Sequence, residues 1–258
     1  MNTRVLALEG VHNFRSFGEL PTVDGGRVRS GLYRSGQFSR ATPADLQTMD
    51  GLGIKVVADL RRPREREMEP SHWPQREGVT VLASDHAGDA EAPHLVFLRN
   101  SDLTEDSIRG FMTDIYRGLP FDPGNKWVFE QGFRALADAE ADHGFIVHCA
   151  AGKDRTGLFC AFLLTELGVD EEAVRADYLM TNTAVNFDRI IPAIAKRLKD
   201  DLGKEAGERE LRAFLGVEAS YYDAALEAVG DPRAYLRNEL GLDEATLKRL
   251  RERLLEAW

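Results

Sequence analysis

The chain holds only two cysteines, Cys149 and Cys160, among 258 residues. At most one disulfide could form, so the fold cannot rest on the bridged frameworks that small secreted domains use. Long apolar runs are missing too. The longest, Leu158 to Leu164, is far short of the roughly 20 residues that span a bilayer. Val5 to Leu8 is interrupted by Glu9 and makes no secretory h-region. The expectation is therefore no stable membrane insertion and a reducing, cytoplasmic location, with secretion by a route that uses no cleavable signal as the alternative. Positive charge is also in short supply. Thirty-three Lys and Arg face 43 Asp and Glu, a net charge of −10, and such a field repels nucleic acid and anionic membranes. The basic stretch Lys248, Arg249, Arg251, Arg253 departs from this balance. Leu247, Leu250 and Leu254 recur there at helical spacing, which predicts a docked helix with a solvated basic face.

What is present suits an ordinary soluble core. Hydrophobic residues make up 43% and charged residues 29%, too apolar for disorder. A chain of this length buries a single large core without staples. Asp24-Gly25-Gly26 supplies turn residues for a hairpin over residues 18 to 34. Thr42-Pro43 opens a short helix as N-cap and first helical residue. The β-branched run from Ile54 to Leu60 reads as a buried strand, as do Val79 to Leu82 and Gly144 to His148. Residues 84 to 103 read as polar and irregular, followed by helices over about 104 to 118 and 126 to 142. From Glu171 to Trp258 only helices are expected. Strands alternating with helices indicate an α/β fold: a central sheet flanked by helices, with an extended helical C-terminal portion.

The chemistry concentrates in His148-Cys149-Ala150-Ala151-Gly152-Lys153-Asp154-Arg155-Thr156-Gly157. A strand delivers a cysteine into a short glycine-bearing loop, and an apolar helix starts at once. Backbone N–H groups from Ala150, Ala151, Gly152, Lys153 and Asp154 onward can nest an anion at a helix N-terminus. The same partial charge, with Arg155, favours thiolate over thiol at Cys149. Arg155 can grip two phosphate oxygens as a fork, which lysine cannot. The Thr156 hydroxyl can donate to the sulfur. Arg34, Arg61 and Arg62 could converge on the Cys149 loop if the sheet is parallel, because ligands collect at the carboxyl ends of strands. Asp59 is expected to orient Arg61 rather than to react. Cys160, within Leu158 to Leu164, reads as core. A Walker loop fails here, since positions 147 and 154 are Val147 and Asp154. A rhodanese-like sulfurtransferase would also present a loop cysteine, but Arg155 and Thr156 point to phosphate. Asp85, His86, Asp89 and His94 lack regular metal-ligand spacing and read as solvated loop residues. Neither metal nor cofactor is expected.

His148-Cys149, Arg155-Thr156 and the fuller Cys149-x-Ala151-Gly152-Lys153-Asp154-Arg155-Thr156-Gly157 resemble the signature of cysteine-dependent protein tyrosine phosphatases. The resemblance is nearest to the atypical bacterial tyrosine and dual-specificity phosphatases of the mycobacterial phosphatase B branch. Asn13-Phe14-Arg15, Leu32-Tyr33-Arg34-Ser35-Gly36, Asp59-Leu60-Arg61 followed by Glu65, Tyr235-Leu236 and Leu240-Gly241-Leu242 fit the same branch. It implies one phosphatase domain over 1–258. It also implies a helical lid, for which residues 84–125 and 182–216 are the candidates. The implied activity is metal-independent hydrolysis of phosphomonoesters, phosphotyrosine protein being the substrate, through a cysteinyl-phosphate. The alternatives are a phosphoinositide phosphatase, since Lys153 adds charge to the loop, and a non-catalytic phosphate-binding module. The general acid is a separate question. His72-Trp73-Pro74-Gln75 has glutamine where conventional members carry an aspartate. Asp154 is the expected acid, with Asp85 and Asp122 as the other candidates.

Overall fold

The computed structural model describes residues 4–73, 77–86, 92–140 and 143–257. Its chain begins with β1 (Arg15–Ser16), β2 (Gly26–Val28) and β3 (Leu32–Ser35), then α1 (Pro43–Asp50) and β4 (Ile54–Asp59). Next come α2 (Pro63–Met68), β5 (Thr80–Ala83), α3 (Pro93–Asn100) and α4 (Glu105–Gly118). A 3-10 turn over Leu119–Phe121 leads to α5 (Pro123–Asp138), β6 (Gly144–His148) and α6 (Asp154–Glu166). The remainder is α7 (Glu171–Leu179), α8 (Thr181–Ala184), α9 (Phe187–Leu202), α10 (Glu208–Leu215), α11 (Ala219–Val229), α12 (Pro232–Asn238), α13 (Glu244–Leu254) and β7 (Leu255–Ala257).

Five strands form one sheet in the order β1-β3-β6-β4-β5, parallel except for β1. Helices flank it, as the alternation of strand and helix requires. Register places the site. Ser35 and Asp59 both stand opposite His148, so β3, β6 and β4 end level and release their loops at one edge. Central β6 is buried at every residue, which suits a strand covered on both faces. Behind it α6 is buried from Thr156 to Leu164. Phe159 of that helix stacks on Phe145 with ring centroids 5.6 Å apart and meets Phe133 at 5.0 Å. The start of α6, and the loop feeding it, are thereby held by the core.

Thr42 caps α1 as expected, accepting from Asp45 N at 3.2 Å. The turn at Gly25 forms with φ +83, and the hairpin arms pair around the bridge Pro21 to Arg27. Thr22 N donates to Gly26 O, Val28 N to Leu20 O and Glu19 N to Val28 O, each at 2.9 Å. The second arm then divides: β2 also pairs with β7, Gly26 opposite Ala257 and Val28 opposite Leu255, and β3 joins the main sheet. A terminal strand thus replaces the purely helical ending read from the sequence. Its three residues carry no detectable period, and only a partner more than two hundred residues away makes them a strand. Residues 84–103 are likewise not wholly irregular, because α3 occupies 93–100. Leu247, Leu250 and Leu254 are fully buried, so α13 docks as its spacing predicts. Its basic face is paired rather than simply solvated: Arg251 bonds Glu166 and Glu244, and Arg249 bonds Asp138. Among the described residues no helix is long and apolar enough to cross a membrane.

Candidate active site

Cys149 leaves the end of β6 and is 2% exposed. The turn that follows needs glycine at one place. Gly152 has φ +68, and a Cβ there would lie 2.2 Å from the carbonyl carbon of Ser35. Two buried side chains pull the loop carbonyls to the side facing the sheet. Asn13 Nδ2 donates to Ala151 O at 3.2 Å and Gly152 O at 2.8 Å. Asn13 has φ +60, a backbone region that asparagine tolerates better than most residues. Arg34 Nη2 donates to Gly152 O at 3.2 Å, while its Nη1 donates to Asp177 at 2.8 Å. Arg15 adds bonds to Asn13, to the Asp177 carbonyl and to Thr181 Oγ1. Arg34 is fully buried, so it braces the loop from beneath instead of reaching a ligand. The N–H groups of Ala150 to Lys153 have no protein acceptor among the described residues.

Arg155 stands one residue inside α6 and meets Glu65 of α2 as a fork. Nη1 lies 2.7 Å from Oε2 and Nη2 2.8 Å from Oε1, and Nη1 also donates to Leu60 O at 2.8 Å. Burial alone would raise the Glu65 pKa, but Arg155 wins and holds it down at about 2. Glu65 reciprocally raises that of Arg155. The Arg62 N–H, at the N-cap of α2, donates to the same carboxylate at 2.8 Å.

A cavity of about 540 Å³ opens over this loop. Cys149, Ala150, Ala151, Asp154 and Arg155 form its floor, and Phe111, Met112, Ile115, Leu119 and Phe121 contribute an apolar wall. Pro93 and His94 of α3 and Phe214 and Leu215 of α10 also line it. Asp154 is held by Tyr116 of α4, whose Oη donates to Oδ1 at 2.6 Å. Tyr178 Oη donates in turn to Tyr116 Oη at 2.8 Å. Lys153 sends its ammonium to the end of α10, donating to Phe214 O at 2.6 Å and Gly216 O at 3.1 Å, and it stands 3.6 Å from Asp154 Oδ1. Its backbone remains in the loop while its side chain ties the loop to the end of α10.

Asp59 and Arg61 form a buried pair beside the loop, with Arg61 Nη2 2.7 Å and Nε 3.0 Å from the carboxylate. Arg61 Nη1 donates to Glu69 O at 2.7 Å. Arg61, like Arg34, therefore supports the loops around the site. Asp59 Oδ2 lies 3.6 Å from His148 Nε2. Burial lowers the His148 pKa to about 4 against the pull of Asp59, and its ring packs on Phe38 at 4.3 Å. The Thr156 hydroxyl is buried without a hydrogen-bond partner among the described residues. Asp122 lines the cavity but caps α5 and pairs with Arg62 at 3.1 Å. Asp85 is exposed and paired with Arg66. His86 bonds Ser84 and His94 faces the cavity, while Asp89, like Pro74 and Gln75, lies outside the described residues. In the sequence Glu65 belongs to a motif string without a role of its own, and Tyr116, Tyr178 and Asp177 go unmarked. His94, expected as a solvated loop residue, is half-buried on α3 and lines the cavity, because the fold turns that helix toward the loop. Glu65 and Asn13 had a signal in the motif pieces. The tyrosines had none, being dozens of residues from the loop in both directions.

A cysteine at the carboxyl end of a central parallel strand, a nest of amides at a helix N-terminus and a forked arginine together define a cysteine-phosphatase domain. A model of the tyrosine phosphatase family matches residues 6–256. The chain belongs to that family, and the protein is a tyrosine phosphatase. The triple specificity protein phosphatase PtpB of Mycobacterium tuberculosis is 33% identical over 283 residues, covering 97% of this chain and 99% of the relative. A Cupriavidus necator protein, named provisionally as a tyrosine-protein phosphatase, is 33% identical over 253 residues, covering 94% and 86%. A tyrosine-protein phosphatase of Nostoc commune is 27% identical over 241 residues, covering 88% and 74%.

Proposed function

We propose that Cys149 is the nucleophile of a metal-independent phosphatase acting on phosphotyrosine proteins, with dual specificity toward phosphoserine and phosphothreonine. The observation that carries this is the convergence of Cys149, Arg155 and Asp154 on the floor of one cavity with an apolar wall. An apolar pocket with a few polar groups at one end suits a phenyl ring that carries a phosphate. The Cys149 thiolate attacks phosphorus as the ester P–O bond breaks, and Asp154 gives its proton to the leaving oxygen. Water then attacks the cysteinyl-phosphate, passes a proton to Asp154 and restores the thiolate. Arg155, released from Glu65 or sharing it, holds two equatorial oxygens, and the amides from Ala150 to Asp154 bind the developing charge. His148, Thr156, Asp59, Arg61 and Arg34 support that geometry.

The domain spans 1–258, and within 84–125 and 182–216 the elements α3 and α10 serve as its cover. A reducing cytoplasm would keep the nucleophile available. A phosphoinositide substrate is the alternative, on the charge of Lys153 and on the lipid activity that the family resemblance includes. The Lys153 ammonium already donates to two backbone carbonyls, which leaves it less free to meet a second headgroup phosphate and favours the protein substrate. The test is a panel of phosphotyrosine, phosphoserine and phosphothreonine peptides and phosphoinositides, assayed in EDTA. Fastest turnover of phosphotyrosine with EDTA present is expected. Activity that depends on added metal, or a clear preference for the lipid, would overturn the reading.

A further inference from the structure

We propose that Tyr116 is a positioning residue for the general acid, holding Asp154 by one carboxyl oxygen so that the other faces the leaving group. This rests on the reading of Asp154 as the acid. Tyr116 Oη donates to Asp154 Oδ1 at 2.6 Å, and Tyr178 Oη donates to Tyr116 at 2.8 Å. Asp154 Oδ2 has no hydrogen-bond partner among the described residues, and Asp154 lines the cavity. Both tyrosines are 1% exposed or less. Their hydroxyls therefore serve an internal purpose, since a buried hydroxyl without a partner is costly. Tyr116 is clamped by rings as well, edge-on to Tyr178 at 6.2 Å and tilted on Tyr221 at 5.7 Å.

The chemistry follows from the direction of the bonds. When Asp154 gives its proton from Oδ2 to the leaving oxygen, negative charge spreads to Oδ1, where the Tyr116 O–H already points. In the second half-reaction Oδ2 takes a proton from the attacking water, and the same hydrogen bond persists. Tyr116 keeps its own proton throughout, because burial and the Asp154 charge raise its pKa well above 10. The groups facing Asp154 are Tyr116 of α4, Tyr178 of α7, Tyr221 of α11, His94 of α3 and, in its own loop, Lys153, Arg155 and Cys149. Of these only Tyr116 donates a short hydrogen bond to the carboxylate; Lys153 Nζ stands at 3.6 Å.

The experiment compares wild type, Tyr116→Phe, Tyr178→Phe, Asp154→Asn and the double variant Tyr116→Phe/Asp154→Asn, using aryl phosphates with good and poor leaving groups across pH. Tyr116→Phe is expected to slow poor leaving groups roughly tenfold and good ones far less, because misplacing an acid costs only where a proton is needed. Its basic limb for turnover should move to higher pH, since the ionised carboxylate loses a donor. Tyr178→Phe should act in the same direction more weakly. Adding Tyr116→Phe to Asp154→Asn should cost nothing further with poor leaving groups. If Asp154→Asn shows the leaving-group dependence while both tyrosine variants slow all substrates equally, with an unmoved basic limb, the tyrosines are only structural and the proposal is overturned. If Asp154→Asn itself lacks that dependence, the reading of the acid fails first. Tyr178→Phe leaves the Tyr116 bond in place and keeps the test open should Tyr116→Phe fold poorly.

Discussion

Arg155 and Glu65 face each other as two parallel hydrogen bonds, 2.7 and 2.8 Å long, with side chains only 15% and 13% exposed. The pair aims the guanidinium across the Cys149 loop before any ligand arrives, which lowers the ordering cost of binding. Arg155→Lys should cut kcat/KM by roughly 10²–10³, the scale of losing a preorganised oxyanion donor. Glu65→Ala should lower activity and also destabilise the fold by about 3 kcal/mol, because it strands a buried charge. Steady-state kinetics and urea unfolding check both. Full activity in Arg155→Lys would show that the fork is dispensable.

Cys149→Ser should abolish turnover while vanadate or phosphate still binds. The substitution leaves the amide nest, Arg155 and the bracing by Asn13 and Arg34 untouched. Calorimetric titration against inorganic phosphate, run beside an activity assay, separates the two properties. Substantial residual turnover would mean that another group attacks phosphorus.

Asp154→Asn should slow aryl phosphates with poor leaving groups by roughly 10²–10⁴, the usual contribution of a positioned acid. Good leaving groups need no proton and should lose much less. Asp122 already caps α5 and pairs with Arg62, so Asp122→Asn should leave the leaving-group dependence as in the wild type. A reversal of these two patterns would move the acid to Asp122.

Stability should depend on pH through His148. Its pKa in the fold is about 4, against an ordinary value of 6.5. The unfolded chain therefore takes up the proton first as pH falls, so the stabilising contribution is complete above about 6.5 and is lost on the way down to 4. The loss across that window is on the order of 3 kcal/mol. Denaturant unfolding at several pH values should show this slope, shallower in His148→Gln. An identical slope in the variant would assign the acid sensitivity to other groups.

Access to Cys149 should be gated. Pro93 and His94 of α3 and Phe214 and Leu215 of α10 line the same cavity as Cys149. Lys204, between α9 and α10, clasps the end of α3 by donating to Leu98 O, Arg99 O and Ser101 O at 3.0, 2.6 and 2.6 Å. Iodoacetamide should label Cys149 more slowly than a peptide thiol, with protection by phosphate. Lys204→Met should accelerate labelling by roughly three- to tenfold, because removing a clasp lowers the local opening free energy. Labelling as fast as the peptide in the wild type would show an open site.

The linear order of residues carries nearly all of the proposed reaction chemistry. Cys149, Gly152, Arg155 and the apolar helix behind them are contiguous, and the proposed nucleophile, anion nest and forked cation need only that short stretch of chain. The apolar runs also marked β4, β5 and β6 as strands, but only β6 is buried throughout. β5 lies at the sheet edge with Val81 49% exposed. The buried strand expected over Val79 to Leu82 is thus an exposed one, because strand order and not local composition sets which strand ends a sheet. Tertiary structure alone decided what surrounds the loop. Arg34 and Arg61 looked like ligand-seeking cations, but the level ends of β3, β6 and β4 bury them against Asp177 and Asp59. Lys153 belonged by position to the phosphate loop, yet the approach of α10 captures its ammonium. Glu65, Tyr116 and Tyr178 reach the site from separate helices, and β7 exists only because β2 offers it an edge. These contacts join residues tens to hundreds of positions apart. No local pattern encodes such pairs, and packing alone selects them.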